Sequence, residues 1–290
     1  MHTLVVCRSF LDDPVVQAIL ACMEEDDASL QADVAALLID KAEILGLSGN
    51  ILRRYLLHLL CEGDTIAAAS IERNGTVGKG LQYAMARDMS ILWPYLQAKP
   101  SDFLGITFLD TYEPAMPRTD GCLDKLDYAL RDAADAAAGA QLMLSHYAIY
   151  GRGKLARFMA FRIGENGEYI GIEPFPRFDW SDLIGYEMQK AKLLANTEQF
   201  MAGKEANNVL LTGARGTGKS TAVKALVYRY YPDGLRLLQI ARGQLSHLAS
   251  VMERLSRIKS KKFILFFDDL SFDEDEKEYK YLKSVIDGGV

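Results

Sequence analysis

Ahead of residue 180, apolar residues recur mostly at helical spacing; beyond it, short unbroken apolar runs alternate with helical stripes. Asp13 followed by Pro14 makes an N-cap and first-turn pair, since the carboxylate accepts an orphan amide and proline has none to orphan; a helix towards Glu24 follows. Residues 28–45 and 51–61 read as amphipathic helices separated by 46–50. Residues 81–96 predict a helix interrupted near its end by Pro94, and 123–148 an alanine-rich helix weakened by Gly139. The prolines and small residues of 111–121 predict a loop.

The pattern then changes period. Residues 157–163 and 168–172 alternate around Asn166-Gly167, a hairpin signal because both turn residues tolerate positive φ. The proline-bearing stretch 173–178 marks a junction. Met188, Ala191 and Ala195 share a face of a helix expected to end before Gly203. Residues 209–211 predict a short strand running into a glycine-rich loop, and Ala222, Val223, Leu226, Val227 and Tyr230 the inner face of the helix after it. A second strand is expected at 235–240, then a helical stripe of Leu245, Leu248, Met252 and Leu255. Phe263 to Phe267 are five consecutive apolar residues, as expected of a strand buried on both faces of a parallel sheet. The expected organisation is a mainly helical domain over 1–150, a β-hairpin and linker over 151–178, and an α/β domain with a parallel sheet, built around that glycine-rich loop, over 179–290.

Composition narrows the class. The 290 residues are 49% hydrophobic and 25% charged, ordinary values for a globular protein long enough for about two domains. A net charge of -6 gives no support for an extended nucleic-acid-binding surface. Cys7, Cys22, Cys61 and Cys122 lie far apart with no zinc-ligand spacing and read as reduced thiols. No uncharged apolar stretch approaches a bilayer span and the N-terminal apolar run is too short for a signal core, so a cytoplasmic protein without a membrane partner is expected.

The chemistry concentrates in GARGTGKST: Gly213, Ala214, Arg215, Gly216, Thr217, Gly218, Lys219, Ser220 and Thr221. The spacing fits the phosphate-binding P-loop. Its glycines permit a tight loop whose amides face phosphate oxygens, and the following helix offers its positive end. Lys219 would neutralise the β- and γ-phosphates, Ser220 would place its hydroxyl on Mg²⁺, and Thr221 would start the helix behind it. Chance gives this pattern about once per hundred chains of this length, and the strand before it and helix after it fit what the chemistry needs. A second element, FILFFDDLSF, is an apolar strand ending in two carboxylates, the Walker B arrangement. Asp268 would hold Mg²⁺, usually through water, and Asp269 would orient or deprotonate the attacking water.

From Trp180 onward the order of elements resembles an AAA+ ATPase. The strings DLIGYEMQK, ANNVLLTGARGTGKST, KFILFFDDLSF and YLKSVIDGG resemble a bacterial family of predicted ATPases catalogued only as a domain of unknown function (number eight-fifteen), well over residues 147–290 and loosely before them. The resemblance implies a nucleotide-binding core with ATP and Mg²⁺ as ligands, and a homo-oligomer in which neighbours supply arginine fingers. It also implies that Leu183, Ile184 and Gly185 border the adenine. Asp269 is one methylene shorter than the usual AAA+ glutamate, although an Asp-Asp ending is also this family's pattern. In AAA+ modules a further strand lies between the P-loop and Walker B strands; here only one helix, 277–287, follows, so a C-terminally truncated core is expected. Residues 241–245, ARGQL, lack the aromatic loop of threading unfoldases.

Other features carry less. His58, in LLHLL, reads as a core or edge histidine, and His2, His146 and His247 have no partners at metal or triad spacing. The acidic run 273–278 reads as solvated. Arg254, Arg257, Lys259, Lys261 and Lys262 form a basic cluster whose ordinary role is a solvated helix end, and whose sharper one is contact with nucleic acid or a neighbouring subunit. The leading functional expectation is a Mg²⁺-dependent ATPase driving a conformational or remodelling cycle on an unknown protein or nucleic-acid partner. The alternatives are a nucleotide-dependent binding module or loader with little turnover and, less favoured, a P-loop kinase; no guanine-specific NKxD motif supports a GTPase.

Overall fold

A computed structural model describes residues 1–24, 27–63, 65–117, 121–268 and Leu282. The chain divides into two compact units, Met1–Arg157 and Phe158–Val290. Among the described residues no helix is long and apolar enough to cross a membrane.

The first unit is helical: α1 (Pro14–Glu24), α2 (Ala28–Leu45), α3 (Ile51–Glu62), α4 (Ile66–Asn74), α5 (Lys79–Gln97), α6 (Pro100–Leu104), α7 (Gly121–Arg131), α8 (Ala136–Tyr150) and α9 (Gly153–Arg157), with 3-10 turns at Arg8–Asp12 and Thr107–Thr111. Local chemistry sets the helix starts. The Asp13 carboxylate accepts the amides of Val15 and Val16 at 3.0 and 3.1 Å, while Asp27, Asn50 and Thr65 accept one amide each in the first turns of α2, α3 and α4. Gly46 ends α2 in the left-handed conformation (φ 69°). One apolar core runs through the unit, with Ile19, Leu38, Leu56, Leu57, Met85, Met89 and Met143 fully or almost fully buried.

Two expectations here are corrected. α5 runs through Pro94, since the chain continues helically to Gln97 and Ala98 donates its amide to the Pro94 carbonyl at 2.9 Å. The single helix expected over 123–148 is two: α7 ends at Arg131, and Asp135 caps a new start by accepting the amide of Ala138 at 2.8 Å. Gly139 does not weaken the second of these so much as let it dock. A Cβ there would sit 2.5 Å from Cζ3 of Trp93 on α5 and 3.4 Å from Cδ2 of Leu130.

Two buried carboxylates brace the unit. Asp88, fully buried on α5, accepts the amides of Val5, Val6 and Cys7 at 2.6 to 2.9 Å through Oδ2, which fastens the N-terminal segment. Burial, reinforced by the Asp88 charge, pushes the Cys7 thiol up to about 12, so this cysteine is a packed apolar group rather than a nucleophile. Asp127 on α7 takes Arg53 Nε at 2.6 Å and Arg131 Nη2 at 2.7 Å, and Arg53 also donates to the Leu96 and Asp127 carbonyls.

The second unit is mixed α/β: β1 (Ala160–Ile163), β2 (Tyr169–Gly171), α10 (Glu187–Met201), α11 (Lys219–Tyr230), β3 (Leu235–Ile240), α12 (Leu248–Ser256) and β4 (Lys262–Phe267). Among the described residues these strands form one mostly parallel sheet in the order β2-β1-β3-β4. β1 and β2 are the antiparallel hairpin around Asn166-Gly167, with Phe161 opposite Gly171. The hairpin is not a freestanding linker element, because β1 pairs in parallel with β3, Ala160 opposite Leu237. β3 pairs in parallel with β4 from Leu235↔Lys262 to Ile240↔Phe267. Val223 and Val227 of α11 pack with Ala160, Leu235 and Leu237 to form the core of this layer.

The placement of apolar residues differs from expectation in four respects. β3 is the strand buried nearly throughout, whereas β4, paired on one side only among the described residues, is half-buried along its length. Residues 209–211 form no strand: Val209 and Leu210 are exposed and have no ladder partner among the described residues, although Leu211 packs on the core. An apolar run becomes a strand only where a neighbour takes its amides and carbonyls. On α10 the face bearing Met188, Ala191 and Ala195 is exposed, and Thr197 is buried instead. On α12 it is Val251, one turn from Leu248, that joins Leu245, Leu248 and Leu255 inside, while Met252 lies at the exposed edge of that stripe. Asp269, the acidic run 273–278 and, apart from Leu282, the helix expected at 277–287 lie outside the described residues.

The α5–α8 contact predicts that Gly139→Val lowers stability by about 1–3 kcal/mol, the usual cost of overpacking, with a change in Trp93 fluorescence; unchanged urea unfolding would contradict that contact. The Asp127 cluster predicts an acid limb. Burial alone would raise the Asp127 pKa, but hydrogen bonds and charge from Arg53 and Arg131 outweigh it and hold the carboxyl below its ordinary 3.8. Its stabilisation is therefore complete above the unfolded-state value and is lost as pH falls from there through the lower folded-state value. Asp127→Asn should cost about 3–5 kcal/mol at neutral pH and flatten that limb, as measured by thermal unfolding between pH 7 and pH 2.

Candidate functional site

The site is built at the N-terminal end of α11. Three glycines shape the loop ahead of it with φ of 148° at Gly213, 82° at Gly216 and 81° at Gly218, backbone angles that favour a residue without Cβ. Gly218 is the N-cap, so α11 begins at Lys219 and its unpaired amides and positive dipole end face the loop. Thr217 closes the loop from inside, its hydroxyl donating to the Ala214 carbonyl at 2.9 Å. The Lys219 ammonium folds back over the loop and donates to the carbonyls of Gly213 and Ala214 at 2.9 and 2.8 Å. Ala214, Arg215 and Gly216 are exposed, and Ser220 and Thr221 half-buried.

The second part arrives from β4. Asp268 follows the last residue of the strand, and the Ser220 hydroxyl donates to its Oδ1 at 2.9 Å. Two segments 48 residues apart are thus joined at hydrogen-bond distance. The β3–β4 register, which sets Phe267 opposite Ile240, fixes where β4 ends. A hydroxyl and a carboxylate side by side next to an ammonium and a helix N-terminus make a locus that can take both a hard cation and an anion.

Of the residues expected near a base, Leu183 reaches the loop: a Cβ on Gly218 would lie 3.5 Å from Leu183 Cδ2. Ile184 is 92% exposed, and Gly185, at φ 81°, has open space where a side chain would project. Tyr186 follows at φ 55°, and α10 begins at Glu187. Sequence reasoning passed over Lys190. Its Nζ donates to the Leu183 carbonyl at 2.5 Å and pairs with Glu187 at 2.9 Å. The Glu-x-x-Lys spacing at residues 187–190 signals the ion pair, but nothing local signals the carbonyl.

The basic cluster before β4 is largely engaged within the unit. Arg254 donates to the Gly167 carbonyl in the hairpin turn and lies 4.9 Å from the centroid of the Tyr169 ring. Arg257 pairs with Glu253 at 2.6 Å, Lys261 is buried, and Lys262 lies 4.9 Å from the Phe200 ring centroid. Gln244, within the ARGQL segment, donates to the Ile163 carbonyl at 2.6 Å, so that segment also anchors the hairpin. Burial pushes the Tyr169 phenol up, against the opposing charge of Arg254.

His58 is half-buried with its ring 6.3 Å from that of Tyr55, and His146 is buried 4.9 Å from the Tyr150 ring. Among the described residues no group of three His, Cys, Asp or Glu side chains could hold a metal ion.

No curated protein and no solved structure matches the chain. Residues 155–290, which carry the loop, Ser220 and Asp268, match the model of a family described as "Protein of unknown function (DUF815)", and that match supports a domain-of-unknown-function family for this segment.

Proposed function

We propose that the second unit binds ATP at residues 213–221 and hydrolyses it to ADP and phosphate with Mg²⁺, as an ATPase of the AAA+ type. The observation that carries the proposal is the bond between Ser220 and Asp268 at 2.9 Å. A glycine-rich motif alone occurs by chance; a glycine-rich motif whose serine meets the carboxylate at the end of a parallel strand is a far narrower coincidence. The parallel pairing of β3 and β4 and the start of α11 at Lys219 support it further.

The residues fit the ligands. Loop amides and the dipole of α11 would receive phosphate oxygens, and Lys219 would exchange its two carbonyl partners for the β- and γ-phosphates. Ser220 and Asp268 are hard oxygen donors of the kind Mg²⁺ takes, directly or through water. When bound, the ion would neutralise charge on the β- and γ-phosphates. Asp269 would orient or deprotonate the water that attacks the γ-phosphorus, as the bond from that phosphorus to the bridging oxygen breaks and ADP leaves. Assembly with further copies, each lending an arginine to its neighbour, belongs to the same proposal and rests on the resemblance to AAA+ proteins.

Steady-state phosphate release provides the test. Lys219→Ala and Asp269→Asn should each lower turnover at least about a hundredfold, and Lys219→Ala should also weaken ATP binding. Equal rates for the unaltered protein and both variants would sink the proposal. Tight ATP binding with no turnover in the unaltered protein would replace hydrolysis with a nucleotide-dependent binding role.

A further inference from the structure

We infer that Lys190 is a positioning residue for the nucleotide: it holds the turn at residues 183–186 against the loop by gripping the Leu183 carbonyl. The inference rests on the proposed function and assigns a role to a residue outside both motifs.

The turn is one the chain does not adopt easily. Gly185 and Tyr186 are consecutive left-handed residues at φ 81° and 55°, and Tyr186 is the one described non-glycine residue with positive φ. Such a conformation persists when its surroundings over-determine it. The turn's own side chains do little of this, since Ile184 is 92% and Tyr186 59% exposed. Contacts at its two ends hold it. Leu183 lies against Gly218, and Lys190 reaches back from the first turn of α10 to the Leu183 carbonyl. The Lys190 side chain is only 17% exposed, its backbone amide bonds the Tyr186 carbonyl at 2.9 Å, and Glu187 pairs with its ammonium. One lysine therefore fastens both ends of the turn, through its side chain at Leu183 and its backbone at Tyr186.

Gly218 is the N-cap of α11 and the last glycine of the loop. A turn seated on it limits how far the loop can open. Releasing the Leu183 carbonyl frees the turn to leave Gly218, and a bound nucleotide then has to order both segments. A charge-assisted hydrogen bond of this kind corresponds to about tenfold or more in an equilibrium.

Trp180 lies at the start of the 3-10 turn Trp180–Asp182, whose carbonyl accepts the Leu183 amide at 3.4 Å, so its fluorescence reports on this segment. Acrylamide quenching and Mg²⁺-ATP binding would be measured for the unaltered protein, Lys190→Met, Lys190→Arg and Lys219→Ala, with Trp180→Phe used to subtract Trp93. Lys190→Met should expose Trp180 to quencher without nucleotide and weaken ATP binding about tenfold, and Lys190→Arg, which keeps a donor, should restore both. Unchanged quenching or unchanged ATP affinity in Lys190→Met, while Lys219→Ala loses binding, overturns the positioning role and leaves the ATP proposal standing. No ATP binding by the unaltered protein removes the ATP proposal and the positioning role together.

Discussion

The hydrogen bond from the Ser220 hydroxyl to Asp268 ties the start of α11 to the end of β4, and much of the second unit serves to hold its two ends in place. One end depends on glycines. Without left-handed angles at Gly216 and Gly218 the chain could not turn tightly enough to begin a helix at Lys219. The other depends on strand register. A slip of one residue between β3 and β4 would turn every side chain of β4 to the opposite face and carry Asp268 away from Ser220. The shared core of α11 and the sheet, built from Val223, Val227, Ala160, Leu235 and Leu237, keeps helix and strand at a fixed spacing.

The hairpin belongs to the same construction. β1 supplies the ladder partner on the far side of β3, which is why β3 can be buried nearly throughout. Arg254 and Gln244, both on the segment after β3, fasten the hairpin by its turn and by the Ile163 carbonyl. One residue of the basic cluster, Arg254, thus helps to hold the hairpin to the rest of the sheet. In the first unit buried carboxylates do comparable work: Asp88 gathers three consecutive amides of the N-terminal segment, and Asp127 joins α3 to α7 through Arg53.

Much of this was legible in the sequence wherever the cause is local. Asp13-Pro14 starts a helix, Asn166-Gly167 turns a hairpin, and the glycine and lysine spacing of residues 213–219 makes a loop followed by a helix, because each depends on the conformations and hydrogen bonds of neighbouring residues. Readings that depended on distant partners fared worse. Residues 209–211 have the composition of a strand but no described neighbour to pair with, and the apolar run 263–267 is half-buried, with β3 its one strand neighbour among the described residues. Gly139 looked like a flaw in a long helix until Trp93, 46 positions earlier, showed what it admits. The carbonyl grip of Lys190 was invisible for the same reason: a backbone acceptor leaves no trace in the composition. In the candidate site, the order of the two motifs suggested that Ser220 and Asp268 would meet, but only the fold brings them to hydrogen-bond distance.

A double-mutant cycle on Ser220 and Asp268, read by calorimetric ATP binding with and without Mg²⁺, tests the central claim most directly. If the pair forms one cation site beside the phosphate loop, Ser220→Ala and Asp268→Ala each abolish most of the Mg²⁺-dependent gain in ATP affinity. The double variant then loses little more than either single one, because residues that share one ligand are not additive. ATP affinity indifferent to Mg²⁺, or losses from the two substitutions that simply add, would contradict the account.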